Sequence, residues 1–83
     1  MSTHILIMDN VPQYRRIKAA RTLRGWRQTD LSYFASEELR RLTGSDFVKV
    51  TTGDVWCLEN DLGIKPERKA AILAALGLQD DRP

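Results

Sequence analysis

The sequence predicts an all-α fold, a compact bundle of four to five helices, from three observations. The chain has 83 residues, enough for one domain of modest stability. Four segments carry apolar residues at the three- and four-residue steps of an amphipathic helix. Proline and glycine stand near the ends of these segments, as is usual at helix termini. We therefore expect residues 13–78 to form the domain, residues 1–12 an N-terminal arm and residues 79–83 a C-terminal tail.

The first two helices are predicted from apolar spacing. The first spans residues 13–24 and follows Pro12, which suits a first helical turn. The second begins near Arg27 or Gln28 and runs to about Leu42. Each should bury the apolar residues that recur along it: Tyr14, Ile17, Ala20 and Leu23 in the first helix, and Leu31, Phe34, Ala35, Leu39 and Leu42 in the second.

A loop is expected after the second helix. Residues 43–46 have the composition of a loop, whereas residues 47–50 favour β structure but are too few to classify. Phe47 and Val48 are too apolar to remain in water together. We therefore expect at least one of the two side chains to be buried.

Two shorter helices follow the loop. Thr51 or Thr52 can cap the third helix, and Asp54 in its first turn is favoured by the helix dipole. The fourth helix is expected from Pro66 to about Leu76, with a glycine directly after it. The apolar positions along these helices are Val55 and Leu58 in the third, and Ala70, Leu73, Ala74 and Leu76 in the fourth.

The charges are distributed unevenly along the chain. Formal net charge is +2, composed of +4 over residues 1–49 and −2 over residues 50–83. Such a mildly basic balance permits binding to nucleic acid without requiring it. No apolar run approaches the length of a membrane span, so we expect no membrane partner. A single cysteine cannot form an internal disulfide, so a cytoplasmic location is the default expectation.

Residue types that support catalysis do not occur together in this sequence. Cys57 has no basic neighbour in sequence and lies far from His4, the single histidine, so an inert thiol is expected. His4 and Asp9 are too few to hold a metal ion. The sequence has no glycine-rich phosphate loop and no catalytic triad. We expect neither enzymatic activity nor a cofactor.

Seven residues form an ordered pattern across the predicted helices. An arginine is followed after four residues by a glycine and after three more by a glutamine that begins the second helix. A branched apolar residue later precedes, by three and four positions, a leucine and a glutamate at the end of the third helix. These residues are Arg21, Gly25, Gln28, Leu31, Val55, Leu58 and Glu59. The pattern resembles the Cro-like phage-repressor family of helix-turn-helix proteins (lambda-repressor-like) over roughly residues 14–78.

The resemblance implies a transcriptional regulator, such as a repressor of phage or bacterial type, that binds double-stranded DNA as a homodimer. The third helix would enter the major groove, while the first two helices would hold phosphates. The amide of Gln28 would lie against a phosphate, and Arg21 and Glu59 would form a structural ion pair. The residues implied to contact DNA are Arg24, Arg27, Gln28, Lys49, Thr51, Thr52, Gly53, Trp56 and Cys57.

Two features depart from the family's pattern. About a dozen extra residues lie between Ala35 and Val50, and we interpret them as an extension of the second helix plus a loop that adds phosphate contacts. The third helix lacks the usual base-reading side chains, and Asp54 would repel phosphate. Trp26 and Trp56 can stack on DNA or pack in the core or against a partner. The alternative function is therefore a protein-interaction module: an antitoxin, an anti-repressor or a polymerase-associated factor.

Overall fold

The computed structural model describes residues 11–80, and this part of the chain consists of helices, turns and loops without a strand. The predicted all-α class is confirmed, and the segment 47–50 is a loop. Most of the predicted arm and tail, residues 1–10 and 81–83, lies outside the described residues. The four helices are α1, Gln13–Leu23; α2, Gln28–Thr43; α3, Thr52–Glu59; and α4, Pro66–Leu76.

Glycines end two of the helices as the sequence predicts. Gly25 follows the last turn of α1 with φ +71°, and Gly77 follows α4 with φ +67°. Residues with a side chain rarely adopt this left-handed backbone conformation, whereas glycine adopts it without a steric penalty. The chain can therefore turn sharply from α1 into α2, which places the start of α2 beside the end of α1.

The core is formed by one face from each helix together with one loop residue. The packing of α2 against α4 is the most extensive, and α3 packs against α2, α1 and α4. The buried apolar residues are Ile17 of α1; Leu31, Ala35 and Leu39 of α2; Val50 of the loop; Val55 and Leu58 of α3; and Ala71, Ile72, Leu73 and Leu76 of α4. Three polar side chains are buried with them: Arg21, Ser36 and Glu59.

Several predicted core positions are exposed. Leu23 and Leu42 lie in the last turns of α1 and α2 and are 87% and 53% exposed. Phe34 is 36% exposed, because the apolar face that α2 buries follows Leu31, Ala35 and Leu39. Ala70 and Ala74 also face outwards, since α4 buries a different face.

The two apolar residues of the loop differ in exposure. Phe47 is 97% exposed, whereas Val48 is partly buried and packs against the core. The expectation that at least one of them is buried is therefore met only in part, by the partly buried Val48. Among residues 11–80, no helix combines the length and apolar character needed to cross a bilayer.

Candidate nucleic-acid interface

A buried ion pair holds the C-terminal end of α3. The Nε of Arg21 donates to Glu59 Oε2 at 2.6 Å, and Nη2 of the same guanidinium donates to Oε1 at 3.0 Å. The side chains of Arg21 and Glu59 are only 11% and 2% exposed. The predicted contact is therefore present, and its two parallel hydrogen bonds fix both distance and orientation between α1 and α3.

The same carboxylate also holds the start of α2. The Nε2 of Gln28 donates to Glu59 Oε1 at 3.1 Å, while Arg21 Nη1 donates to the carbonyl oxygen of Trp26 at 2.8 Å. The family resemblance implies that the Gln28 amide lies against a phosphate. In the structure, one N–H group of this amide donates to Glu59 instead. Glu59 thus joins α3 to α1 and to the first residue of α2, while Arg21 contacts the α1–α2 turn.

The N-terminal end of α3 is held by a second set of polar contacts. Thr51 caps the helix, because its hydroxyl accepts from the Asp54 N–H at 3.0 Å and its own N–H donates to Asp54 Oδ2 at 2.9 Å. Arg68 of α4 also donates to Asp54 Oδ2, at 3.0 Å. The Asp54 side chain is 15% exposed and paired with a cation. Its charge is therefore compensated within the fold, which weakens the repulsion of phosphate expected from the sequence.

The outer face of α3 is open. Thr51, Thr52 and Gly53 are exposed at its start, and Trp56 is half-exposed one turn further on. Cys57 is a free thiol of intermediate exposure. These five residues form the part of the predicted DNA-contacting surface that lies at α3. Most of this surface is accessible to a partner.

Cationic side chains lie near both ends of α3. Arg27, with a side chain 84% exposed, precedes Gln28, which contacts the last residue of the helix. Lys49 is exposed at the other end and lines a depression of about 380 Å³ together with Arg40, Thr51 and other residues of α2 and α3. The Nε of Arg40 is buried and has no hydrogen-bond partner in the described structure.

Asp30 lies beside Arg27 and partly compensates its positive charge. The Arg27 backbone N–H donates to Asp30 Oδ2 at 2.8 Å, and Arg27 Nε donates to the same oxygen at 3.4 Å. The first of these bonds is the main reason why the pKa of Asp30 lies below its ordinary value, and the guanidinium contributes further. The carboxylate therefore stays ionised and partly balances the positive charge of Arg27.

Arg24 has an internal role in this structure. Its Nη1 donates to the carbonyl oxygen of Ala20 at 3.1 Å, and its Nη2 donates to that of Leu76, at the end of α4, at 3.0 Å. The guanidinium also lies 5.5 Å from the ring centre of Trp26, which stacks on Phe34 at 4.4 Å. Arg24 and Trp26 therefore join α1, α2 and α4, and we leave them out of the candidate interface.

Sequence reasoning missed two polar residues that position α3. Arg68 is fourteen residues from Asp54, and no local signal connects them. Ser36 interrupts the apolar face of α2 next to Ala35, and a buried hydroxyl at such a position is a detectable signal.

The described geometry defines a small helical domain whose third helix is fixed at both ends and exposed on its outer side. Comparison of the chain with protein-family models, with curated proteins and with solved structures finds no match. The function must therefore be inferred from the chain's own residues.

Proposed function

We propose that this protein is a DNA-binding transcriptional regulator of phage or bacterial type, in which α2 and α3 form a helix-turn-helix and α3 reads duplex DNA. The observation that carries the proposal is the placement of α3. Polar contacts from Glu59 and Asp54 fix its two ends, while residues 51–53 and Trp56 remain on an open outer face. A rigid helix with an exposed face is what major-groove binding requires.

The distribution of cations supports the same proposal. Arg27 near one end of α3, and Arg40 and Lys49 near the other, can neutralise phosphates on the two sides of a groove. The Nε of Arg40 has no partner in the described structure, and a phosphate oxygen would satisfy this donor once the side chain turned outwards. Phosphate contacts of this kind set the position of the helix on the duplex.

The proposed interface relies more on phosphate contacts than on base contacts. The outer face of α3 carries the Thr52 hydroxyl, the Gly53 backbone and the Trp56 indole, and none of these makes the bidentate contacts that distinguish bases best. We therefore expect moderate sequence preference on top of a salt-sensitive, sequence-independent affinity. Binding as a homodimer, which the family resemblance implies, would add a second half-site.

The experiment is a fluorescence-anisotropy titration of a labelled random-sequence duplex with the intact chain, at about 50 and 200 mM salt. Three cations at the interface predict a decrease in log affinity of about 2.7 for each tenfold increase in salt, from about 0.9 for each phosphate neutralised. Affinity that is absent at low salt, or that does not change with salt, would contradict the proposal.

A second candidate function is protein binding, and the exposure of large apolar side chains favours it. Phe47 is 97% exposed, Leu42 53% and Trp56 50%. Apolar side chains of this size mark interaction surfaces when they are contiguous. A protein partner would be indicated if the duplex fails to bind and a Phe47→Ser variant loses an association that the parent shows in sedimentation velocity.

A further inference from the structure

One hydrogen-bonded contact closes the long excursion between α2 and α3. Ser36, in the middle of α2, and Val50, just before α3, are fourteen residues apart in sequence. The Val50 N–H donates to Ser36 Oγ at 2.8 Å. Residues 37–49 comprise the rest of α2 and the following loop. The two ends of this segment therefore lie close together in space.

The hydroxyl of Ser36 both accepts and donates a hydrogen bond. Its oxygen accepts from Val50, and its one proton can be donated to the carbonyl oxygen of Ser32 at 2.7 Å or to that of Val50 at 3.1 Å. Ser36 and Val50 are only 5% and 3% exposed, so water cannot readily replace the hydroxyl. Without it, the Val50 N–H would be a buried donor with no partner.

This contact leads directly into α3. Val50 precedes Thr51, whose hydroxyl and N–H cap the first turn of α3 through Asp54. Fixing Val50 against Ser36 therefore fixes the start of α3 against the middle of α2. A hydroxyl that bonds only within its own helix has no such effect, as Thr22 shows: its hydroxyl donates to the carbonyls of Lys18 and Ala19.

We propose that Ser36 is a positioning residue for the reading helix, taking the role that a tight turn has in a short helix-turn-helix. Its hydroxyl sets where α3 begins, so the geometry of α2 and α3 does not depend on the course of residues 37–49. The consequence for DNA recognition rests on the proposed function, whereas the positioning of α3 does not.

The test is amide hydrogen exchange by NMR on the full chain without DNA. In the parent, the Val50 amide should exchange as slowly as buried amides of α2, because it donates to Ser36 Oγ and its surroundings exclude water. Ser36→Ala should raise the Val50 exchange rate by about tenfold or more, as expected for a buried donor left without a partner. Thr22→Ala removes a hydroxyl of the same kind from α1 and should leave the Val50 rate within about twofold.

The result that overturns the proposal is a folded Ser36→Ala variant in which Val50 exchanges at the parental rate. If Ser36→Ala does not fold, the exchange rate of the Val50 amide in the parent chain tests the proposal by itself. A Val50 amide that exchanges as fast as that of the exposed Phe47 would overturn the proposal, and one protected like α2 would support it.

A DNA measurement separates this proposal from the proposed function. If the parent binds duplex DNA, Ser36→Ala should weaken binding at least about threefold, because α3 would no longer be held in its reading position, with the salt slope unchanged, because Ser36 contacts no phosphate. An unchanged affinity in Ser36→Ala would overturn the positioning role in recognition. If the parent itself does not bind DNA, the proposed function fails while the exchange result still tests the role of Ser36.

Discussion

The inner and outer faces of α3 differ in chemistry, although the helix has only eight residues. On the inner face, Val55 and Leu58 enter the core, and Glu59 accepts hydrogen bonds from Arg21 and Gln28. On the outer face, Thr52 and Trp56 are exposed, and the Thr52 hydroxyl lies 3.5 Å from that of Ser32. A few buried hydrogen bonds therefore fix the orientation of this helix, while the residues available for recognition contribute little to it.

The largest difference between the faces should appear in stability. Glu59→Ala leaves the Arg21 guanidinium buried without its carboxylate, so we expect the free energy of unfolding to fall by about 3–5 kcal/mol. Thr52→Ala, on the outer face of the same helix, should change it by no more than about 0.5 kcal/mol. Urea denaturation followed by circular dichroism measures both. Equal losses in the two variants would mean that the buried pair does not hold α3.

An intermediate effect concerns the charges around the outer face. Changing Arg40 and Lys49 to alanine together should reduce the salt slope of duplex binding by about two, because two phosphate contacts are lost. Arg41→Ala is the matched control, since Arg41 adjoins Arg40 but pairs with Glu38. It should leave the slope nearly unchanged. If Arg41→Ala reduces the slope by as much per charge removed as the double variant does, general charge, and not this site, attracts the DNA.

The smallest effect concerns the pKa of Asp30, beside Arg27. Because this pKa lies below its ordinary value in the folded chain, the carboxylate stabilises the fold above the unfolded-state pKa. That contribution is lost as the pH falls through the lower, folded-state pKa. Arg27→Ala should retain most of the shift, since its main cause is the Arg27 backbone N–H. Carboxyl NMR titration of both chains measures this, and a shift abolished in Arg27→Ala would assign the effect to the guanidinium instead.

The sequence predicted the helices well because their signals are local. Apolar spacing, Pro66, the Thr51 cap and Gly25 all act within a few residues, and the observed helices begin and end close to the expected positions. The contact of Arg21 with Glu59 was available only through the family resemblance. The errors concern which positions are buried: Leu42 and Phe34 have a core-like spacing, but they are 53% and 36% exposed.

The candidate site was predicted less completely, because its polar contacts join residues distant in sequence. Nothing local distinguishes an arginine that binds phosphate from Arg24, which donates to the end of α4. The pairing of Arg68 with Asp54 and that of Gln28 with Glu59 likewise depend on how the helices pack. Such contacts follow from tertiary structure and leave no periodic pattern in the sequence.

The most direct test of the central claim, that the outer face of α3 binds DNA, is an NMR titration of the intact chain with duplex DNA. We expect the amide resonances of residues 51–53, Arg27 and Lys49 to shift most, while those on the exposed side of α4, around Ala70 and Ala74, stay in place. Shifts confined to α4, or no shifts at all at low salt, would contradict it.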